Sequence, residues 1–181
     1  LRYPFSRCFG EYTHSAGVPR AFRKDAALAV VELVSKLDAR WQQLEADGHR
    51  DTVFTVGKLF TDQDRHAMTK VPGEISFSLN FGDTDAKTMQ GIDALIQSEC
   101  KELEARRNVK FELGSKVGTD PVVLDSGTRA QLRRAASALG HEPIEFATVG
   151  HDAAMFAKSG MQSAMVLVRN ANGSHNEHEE M

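Results

Sequence analysis

The chain opens with two hydrophobic patterns of different period. Tyr3, Phe5 and Phe9 occupy alternating positions within the first eleven residues, as in a half-buried strand. From 25 to 46, apolar residues recur every three or four positions and charged residues fill the positions between them. The sequence therefore predicts a strand followed by an amphipathic helix that ends near Gly48.

The same two patterns return after this helix. β-branched and aromatic residues predict a strand at 52–60, and apolar and polar residues alternate almost without interruption through 73–81. The acidic segment 83–85 provides capping oxygens for a second helix, which ends near 107. A final alternating segment predicts a strand at 109–113.

The predicted order of elements is strand, helix, strand, strand, helix, strand. This order is typical of the ferredoxin-like βαββαβ sandwich, in which two helices cover one face of a four-stranded antiparallel sheet. Such a sheet leaves its other face and its edges available, so pairing with a second copy is a natural way to cover them. We assign this sandwich to residues 1–116.

The composition changes after Gly114 to that of a linker, and shorter patterned segments follow. We predict helices at 126–140 and 152–158 and strands at 144–148 and 163–168. The last strand is almost wholly apolar, which indicates burial on both faces, as in a parallel sheet. So short a segment cannot close such a sheet with helices on both sides, so 117–181 are expected to be part of an incomplete α/β domain.

Composition and charge exclude several classes of protein. A net charge of -3, with acidic and basic residues spread evenly, does not provide the basic stripe of a nucleic-acid-binding protein. No apolar run approaches the roughly 20 residues of a membrane span, and no signal-peptide pattern is present. Cys8 and Cys100 indicate buried thiols in a reducing compartment, so we expect a cytoplasmic protein.

The loop between the first strand and the first helix, residues 10–26, is more polar than a simple connection requires. It contains His14 and the cationic residues Arg20, Arg23 and Lys24. Loops of this kind often carry function, whereas a lone histidine is just as often a solvated side chain. The residues alone leave both interpretations open.

Two segments further along the chain also contain candidate chemistry. Gly150-His151-Asp152-Ala153 begins a short predicted helix whose amides can bind anions, although Asp152 is a simple helix cap in the alternative interpretation. The polar segment 169–180, which includes His175, follows the last predicted strand, where ligands of α/β sheets gather. Its imidazoles and carboxylates suit zinc or manganese, although most polar, acidic loops are only solvated.

Four segments together resemble one known family, the N-carbamoyl-L-amino-acid hydrolases and allantoate amidohydrolases, which belong to the two-metal aminoacylase and carboxypeptidase group. They are Gly10 to Ala26, Val71-Pro72-Gly73, Gly150-His151-Asp152-Ala153 and Asn172-Gly173-Ser174-His175. They occur in the family's order and with fitting spacing over nearly the whole chain. The resemblance implies that 1–116 are a ferredoxin-like lid, which is also the dimerisation domain, and that 117–181 are the C-terminal part of the catalytic domain.

The resemblance also implies roles for individual residues. His14 matches a lid histidine that reaches the active site of the partner subunit and helps to hold the substrate and the tetrahedral intermediate. His175 matches the last metal ligand, and Thr69, Gly150 and His151 fall at substrate-binding positions. The implied reaction is hydrolysis of a linear carbon–nitrogen bond in a small carbamoyl or ureido acid, assisted by two divalent ions, zinc or manganese.

Two departures from the family pattern concern substrate binding. The family usually has Asp-x-Arg at the end of the third lid strand, where the arginine grips a substrate carboxylate, but this chain has Asn80-Phe81-Gly82. Thr69 replaces the asparagine that usually precedes the Val-Pro-Gly turn. Either the substrate differs, with Arg20, Arg23 or Lys70 as the replacement anchor, or the parent protein has lost its activity.

The chain starts at Leu1, without an initiator methionine and inside a predicted strand, so we expect it to be a piece of a longer protein. The family's glutamate base and its remaining metal ligands lie upstream of this region. We therefore expect the 181 residues alone to be inactive. The competing hypothesis is a non-catalytic dimerisation or ligand-binding module, because the ferredoxin-like sandwich serves many functions.

Overall fold

The computed structural model describes residues 1–147, 150–167, 170–175 and 177–179. The chain divides into two compact units, one built mainly of Leu1–Pro121 and the other of Val122–Phe146 and Gly150–Met181. Within the described ranges, no helix combines the length and the apolar character needed to cross a membrane.

The first unit is an antiparallel sheet with two long helices. Its elements in chain order are β1 (Arg2–Phe9), β2 (Thr13–His14), a 3₁₀ turn (Arg20–Phe22), α1 (Ala26–Ala46), β3 (Val53–Thr55), β4 (Leu59–Thr61), β5 (Lys70–Val71), β6 (Glu74–Gly82), α2 (Ala86–Arg107) and β7 (Lys110–Glu112). The sheet has the order β3-β6-β1-β7, and β4 also pairs with β6. The antiparallel sheet and both helices agree with the sequence prediction.

The predicted strand at 52–60 is divided into two short strands. Both pair with β6, β3 through Phe54 and Phe81 and β4 through Phe60 and Ser76. Gly57 lies in the break between them, where glycine lowers the tendency to continue a strand.

The core lies between one face of the sheet and the two helices. Among its fully buried side chains are Leu33 and Leu37 from α1, Ile96 from α2, and Phe77 from β6. Asp25 and Asp85 begin the helices by accepting hydrogen bonds from main-chain N–H groups in the first turn.

The aromatic alternation in β1 was misleading. Tyr3 is buried, but the register shifts between Tyr3 and Ser6, so that Ser6 and Cys8 face the core and Phe5 is 74% exposed. A bulge of this kind inserts a residue and reverses the face on which the following side chains lie. An alternating sequence pattern cannot show that reversal.

The second unit contains α3 (Ser126–Ala138) and α4 (Asp152–Lys158), as predicted. Gly140 follows α3 with φ = 79°, a left-handed conformation that favours glycine after a helix.

The predicted strands at 144–148 and 163–168 are wrong over their described parts. Residues 144–147 and 163–167 form no strand, and Ile144 and Val166 are 85% and 67% exposed. A strand requires a hydrogen-bonded neighbour, and the apolar composition that suggested burial does not supply one within the described residues. Positions 148 and 168 lie outside those residues.

The two thiols predict how stability depends on pH. Burial raises the pKa of both Cys8 and Cys100 from 9.0 to about 12. The unfolded thiols therefore lose their protons first, and we expect the free energy of unfolding to fall as the pH rises from 9 towards 12. Urea denaturation across this pH range measures that fall. Each thiol should lower the free energy of unfolding by up to about 1.4 kcal/mol per pH unit.

The matched control is the double variant Cys8→Ala, Cys100→Ala. It is less stable at every pH because two buried side chains are shortened, but its pH slope is shallower. Part of the remaining slope comes from Tyr3, whose pKa is raised to about 12 by burial and by its hydrogen bond to Asp93, and Tyr12, whose pKa burial also raises, adds to it. An unchanged slope in the double variant would contradict this account.

Candidate functional site

His14 lies on a small two-stranded ladder outside the main sheet. β2 and β5 run antiparallel, and His14 pairs with Lys70 while Thr13 pairs with Val71. Beyond the pair, the Ser15 N–H donates to the carbonyl oxygen of Thr69 at 2.8 Å. The structure therefore brings together His14 and Thr69, which the sequence identified separately.

Two glycines join this ladder to the rest of the first unit. The Gly10 N–H donates to the Gly73 carbonyl at 2.8 Å, and the Ala26 N–H at the start of α1 donates to the Pro72 carbonyl at 3.2 Å. A Cβ on Gly73 would lie 2.4 Å from Cδ2 of Tyr12, and one on Gly10 would lie 2.0 Å from the carbonyl oxygen of Lys24. Both positions therefore require glycine for a close approach.

The imidazole of His14 is exposed and has a defined hydrogen bond. Its Nδ1 accepts from the Ala16 N–H at 3.1 Å. In the neutral ring, the proton is then on Nε2, which forms no hydrogen bond to a described residue. His14 therefore presents an available N–H donor, which is suited to a carbonyl or oxyanion.

Tyr12 packs beside the ladder beneath two cations. The guanidinium carbon of Arg65 lies 3.9 Å from the centre of the Tyr12 ring, and Nζ of Lys70 lies 6.0 Å from it. The Tyr12 hydroxyl is buried and has no hydrogen-bond partner among the described residues. Burial raises the pKa of Tyr12, and the negative charge of Asp62 adds to the effect.

The three cations suggested as replacement anchors differ in their contacts. Arg23 binds the main-chain carbonyls of Ser15 and Val18, and Nζ of Lys70 donates to the Arg65 carbonyl at 2.7 Å. Arg20 is exposed on the 3₁₀ turn and makes no side-chain hydrogen bond or ion pair with a described residue. The hydrogen bonds of Arg23 to these two carbonyls stabilise the loop, whereas Arg20 has no such contact.

The segment Asn80-Phe81-Gly82 is part of the main sheet. Oδ1 of Asn80 accepts from Nε of Arg2 at 3.1 Å, and Gly82 pairs with Val53. Phe81 is buried and stacks on Phe54, with ring centres 4.3 Å apart. This segment serves the sheet and the core and supplies no cation.

In the second unit, His151 caps helix α4. Its Nδ1 accepts from the Ala153 N–H at 3.4 Å, and Asp152 is the first residue of the helix. The suggestion that Asp152 is the cap was therefore wrong, because the histidine ring one residue earlier reaches that amide. Gly150 and His151 are both exposed.

His175 lies in an exposed turn of the same unit. Its φ is 62°, and its N–H donates to Oε2 of Glu179 at 2.8 Å. Nowhere in the described ranges do three histidine, cysteine, aspartate or glutamate side chains come together as a metal site would require. The described donors alone therefore do not fit a pair of metal ions.

Sequence reasoning identified His14 and Thr69 but did not identify Tyr12 or Arg65. Their contact depends on a turn more than fifty residues further along the chain, which no local pattern indicates. The one sequence signal was Gly73 in Val71-Pro72-Gly73, because a glycine there permits the close approach of Tyr12 that the structure shows.

No family model matches the chain. Among curated proteins, it is 26% identical to the N-carbamoyl-L-amino-acid amidohydrolase of Pseudomonas sp. (strain NS671), over 92% of this chain and 39% of that protein. It is 25% identical to the enzyme of the same name from Rhizobium meliloti, over 95% of this chain and 40% of that protein. The chain thus spans about two fifths of the length of these relatives.

Solved structures show the same fold. An amidase of the hydantoinase/carbamoylase family from Burkholderia multivorans matches 98% of this chain with a TM-score of 0.84 and 23% identity, over 42% of its own length. One from Burkholderia phymatum matches 85% with a TM-score of 0.71 and 27% identity, over 38% of its own length. Over nearly its whole length, the chain is therefore similar to about two fifths of the length of these N-carbamoyl-L-amino-acid amidohydrolases, and it shares its fold with part of the hydantoinase/carbamoylase amidases.

Proposed function

We propose that this chain supplies the lid and the C-terminal part of the catalytic domain of an amidohydrolase. The enzyme would cleave a linear carbon–nitrogen bond in N-carbamoyl amino acids or allantoate-like acids. The observation that carries the proposal is the similarity to two N-carbamoyl-L-amino-acid amidohydrolases over 92% and 95% of the chain. In this assignment residues 1–116 are the ferredoxin-like lid and 117–181 belong to the catalytic domain.

His14 is the catalytic residue of the proposed lid. Its ladder is joined to the sheet and to the start of α1 by main-chain hydrogen bonds, so the backbone that carries the imidazole is held in place. The available Nε2–H can donate to the substrate carbonyl and more strongly to the oxyanion that forms from it. Thr69, beside it on the ladder, would contact the same substrate, in the active site of the partner subunit.

The second unit would contribute to the catalytic domain. We propose that His175 is one ligand of a zinc or manganese pair in the whole enzyme, and that Gly150 and His151 line the substrate pocket. The described residues do not provide a complete set of metal ligands, so the other ligands must come from the rest of the enzyme. The buried, unpaired cysteines are compatible with a cytoplasmic location.

The first test compares the isolated chain with a chimaera. We expect the 181-residue chain to show no turnover of N-carbamoyl amino acids or allantoate with added zinc or manganese. The chimaera places this chain in the Pseudomonas enzyme in exchange for the matching 39% of that protein, and we expect it to release ammonia from an N-carbamoyl-L-amino acid. Turnover by the isolated chain would refute the idea that it lacks a complete site.

His14 is then tested within the chimaera. We expect His14→Ala to lower kcat by about 100-fold or more, the typical effect of removing an oxyanion donor. His141→Ala is the matched control, because this histidine is also exposed and is assigned no role in the reaction. Equal activity of the two variants would remove His14 from the mechanism, and a folded chimaera without turnover would favour the non-catalytic module.

We also propose that the lid forms a homodimer. The main sheet has edges at β7 and at the β3–β4 side, and the β4 residues Leu59 and Phe60 are about half exposed. Such an edge is favourable for pairing with a second copy. Sedimentation velocity at micromolar concentration should give the mass of a dimer, and a monomeric mass throughout that range would contradict the proposal.

A further inference from the structure

We propose that Arg65, whose guanidinium lies over the Tyr12 ring, is the side chain that binds the substrate carboxylate at this site. The inference rests on the proposed function, because it assumes that the substrate is an N-carbamoyl acid held near His14. It assigns to a turn between β4 and β5 the role that the missing arginine at position 82 would have had.

The contact with Tyr12 positions the Arg65 side chain and leaves the N–H groups of its guanidinium available for a ligand. Its guanidinium carbon lies 3.9 Å from the centre of the Tyr12 ring. A stacked guanidinium uses its face for the aromatic contact and keeps its N–H edge available for a carboxylate. Arg65 is exposed, and its guanidinium makes no hydrogen bond or ion pair with any described residue.

The main chain around Arg65 is also held in place. The N–H groups of Arg65 and His66 both donate to the Asp62 carbonyl, at 3.2 and 2.9 Å. Oγ1 of Thr61 and Nδ1 of His66 lie 2.7 Å apart, and Nζ of Lys70 binds the Arg65 carbonyl. A side chain ordered before binding loses less conformational entropy when a ligand arrives.

Arg65 is on the same side of the ladder as His14. His14 and Lys70 are directly opposite each other in the ladder, so their side chains lie on one face. Nζ of Lys70 lies 6.0 Å from the centre of the Tyr12 ring. One face of the ladder therefore carries an imidazole donor and two cations around one aromatic ring.

This arrangement selects a substrate class. The planar Arg65 fork fits a carboxylate through two parallel hydrogen bonds, and the neutral His14 N–H fits a carbonyl. A small acid with an amide or ureido carbonyl near its carboxylate has both groups, whereas the matching amide lacks the anion. Arg20 has no comparable platform among the described residues, and Arg23 is bound to main-chain carbonyls.

The test measures binding by the full 181-residue chain. We would titrate it with N-carbamoylglycine and with the uncharged N-carbamoylglycinamide, following amide signals by NMR. We expect the acid to bind more tightly, and Arg65→Ala to raise the Kd of the acid by about tenfold or more, the usual cost of losing a charged hydrogen bond. The Kd of the amide should not change.

Four further variants separate stacking from charge. Arg65→Lys keeps the charge but loses the fork, so the Kd of the acid should fall between those of the unmodified chain and Arg65→Ala. Tyr12→Leu removes the platform and should weaken binding of the acid, whereas Tyr12→Phe keeps the ring and should not. Arg40→Ala removes an exposed cation on α1 and is the matched control.

Three outcomes would overturn the proposal. The first is that the unmodified chain binds the acid and the amide with equal affinity, or binds neither. The second is that Arg65→Ala leaves the Kd of the acid unchanged. The third is that Arg65→Ala raises the Kd of the acid and of the amide equally. Turnover by the chimaera is an independent measurement, so an active chimaera together with any of these outcomes rejects the role of Arg65 and leaves the proposed function standing.

Discussion

The close approach of two main-chain segments at Gly10 and Gly73 determines where the candidate site lies. β1 and β6 are neighbours in the main sheet, and at these glycines both strands give way to the small ladder that carries His14. The contact with Tyr12 leaves no room for a side chain at Gly73. Main-chain hydrogen bonds therefore fix the position of the His14 backbone relative to the main sheet.

The same junction explains why several sequence features occur together. The histidine loop and the Val71-Pro72-Gly73 segment are far apart in the sequence, but they form the two sides of one ladder. The loop that supplies Arg65 is closed over Tyr12 by its own main-chain hydrogen bonds. The chemistry at this position is therefore a property of three segments and not of His14 alone.

Elements with a long and regular pattern could be predicted from the sequence. Helices α1 and α2 and strand β6 repeat their apolar positions over many residues, and the structure has them within one or two residues of the prediction. The β2–β5 ladder could not be predicted, because two residues in each strand carry no period. The bulge in β1 was also hidden, since Phe5 continues the aromatic alternation although it faces solvent.

The second unit shows what composition alone can miss. Its apolar segments suggested buried strands, but a strand needs a neighbouring strand, and the described residues do not provide one. Similarly, the short polar segments indicated side chains that can bind a metal ion, but the sequence did not show whether these side chains come together in one site. The resemblance is the basis of the roles proposed for His14 and His175, and the structure adds the ladder, the hydrogen bond at Nδ1 of His14 and the Tyr12–Arg65 contact.

The central proposal is that this chain supplies working parts of a two-metal amidohydrolase, and the metal content of the chimaera tests this proposal most directly. Zinc and manganese bound per chain can both be measured by atomic emission after dialysis, with His175→Ala compared with His178→Ala. The account predicts two ions of zinc or manganese per chain in the chimaera and fewer in His175→Ala, with no loss in His178→Ala. A folded chimaera that holds neither metal, or a His175→Ala variant that keeps both ions, would contradict it.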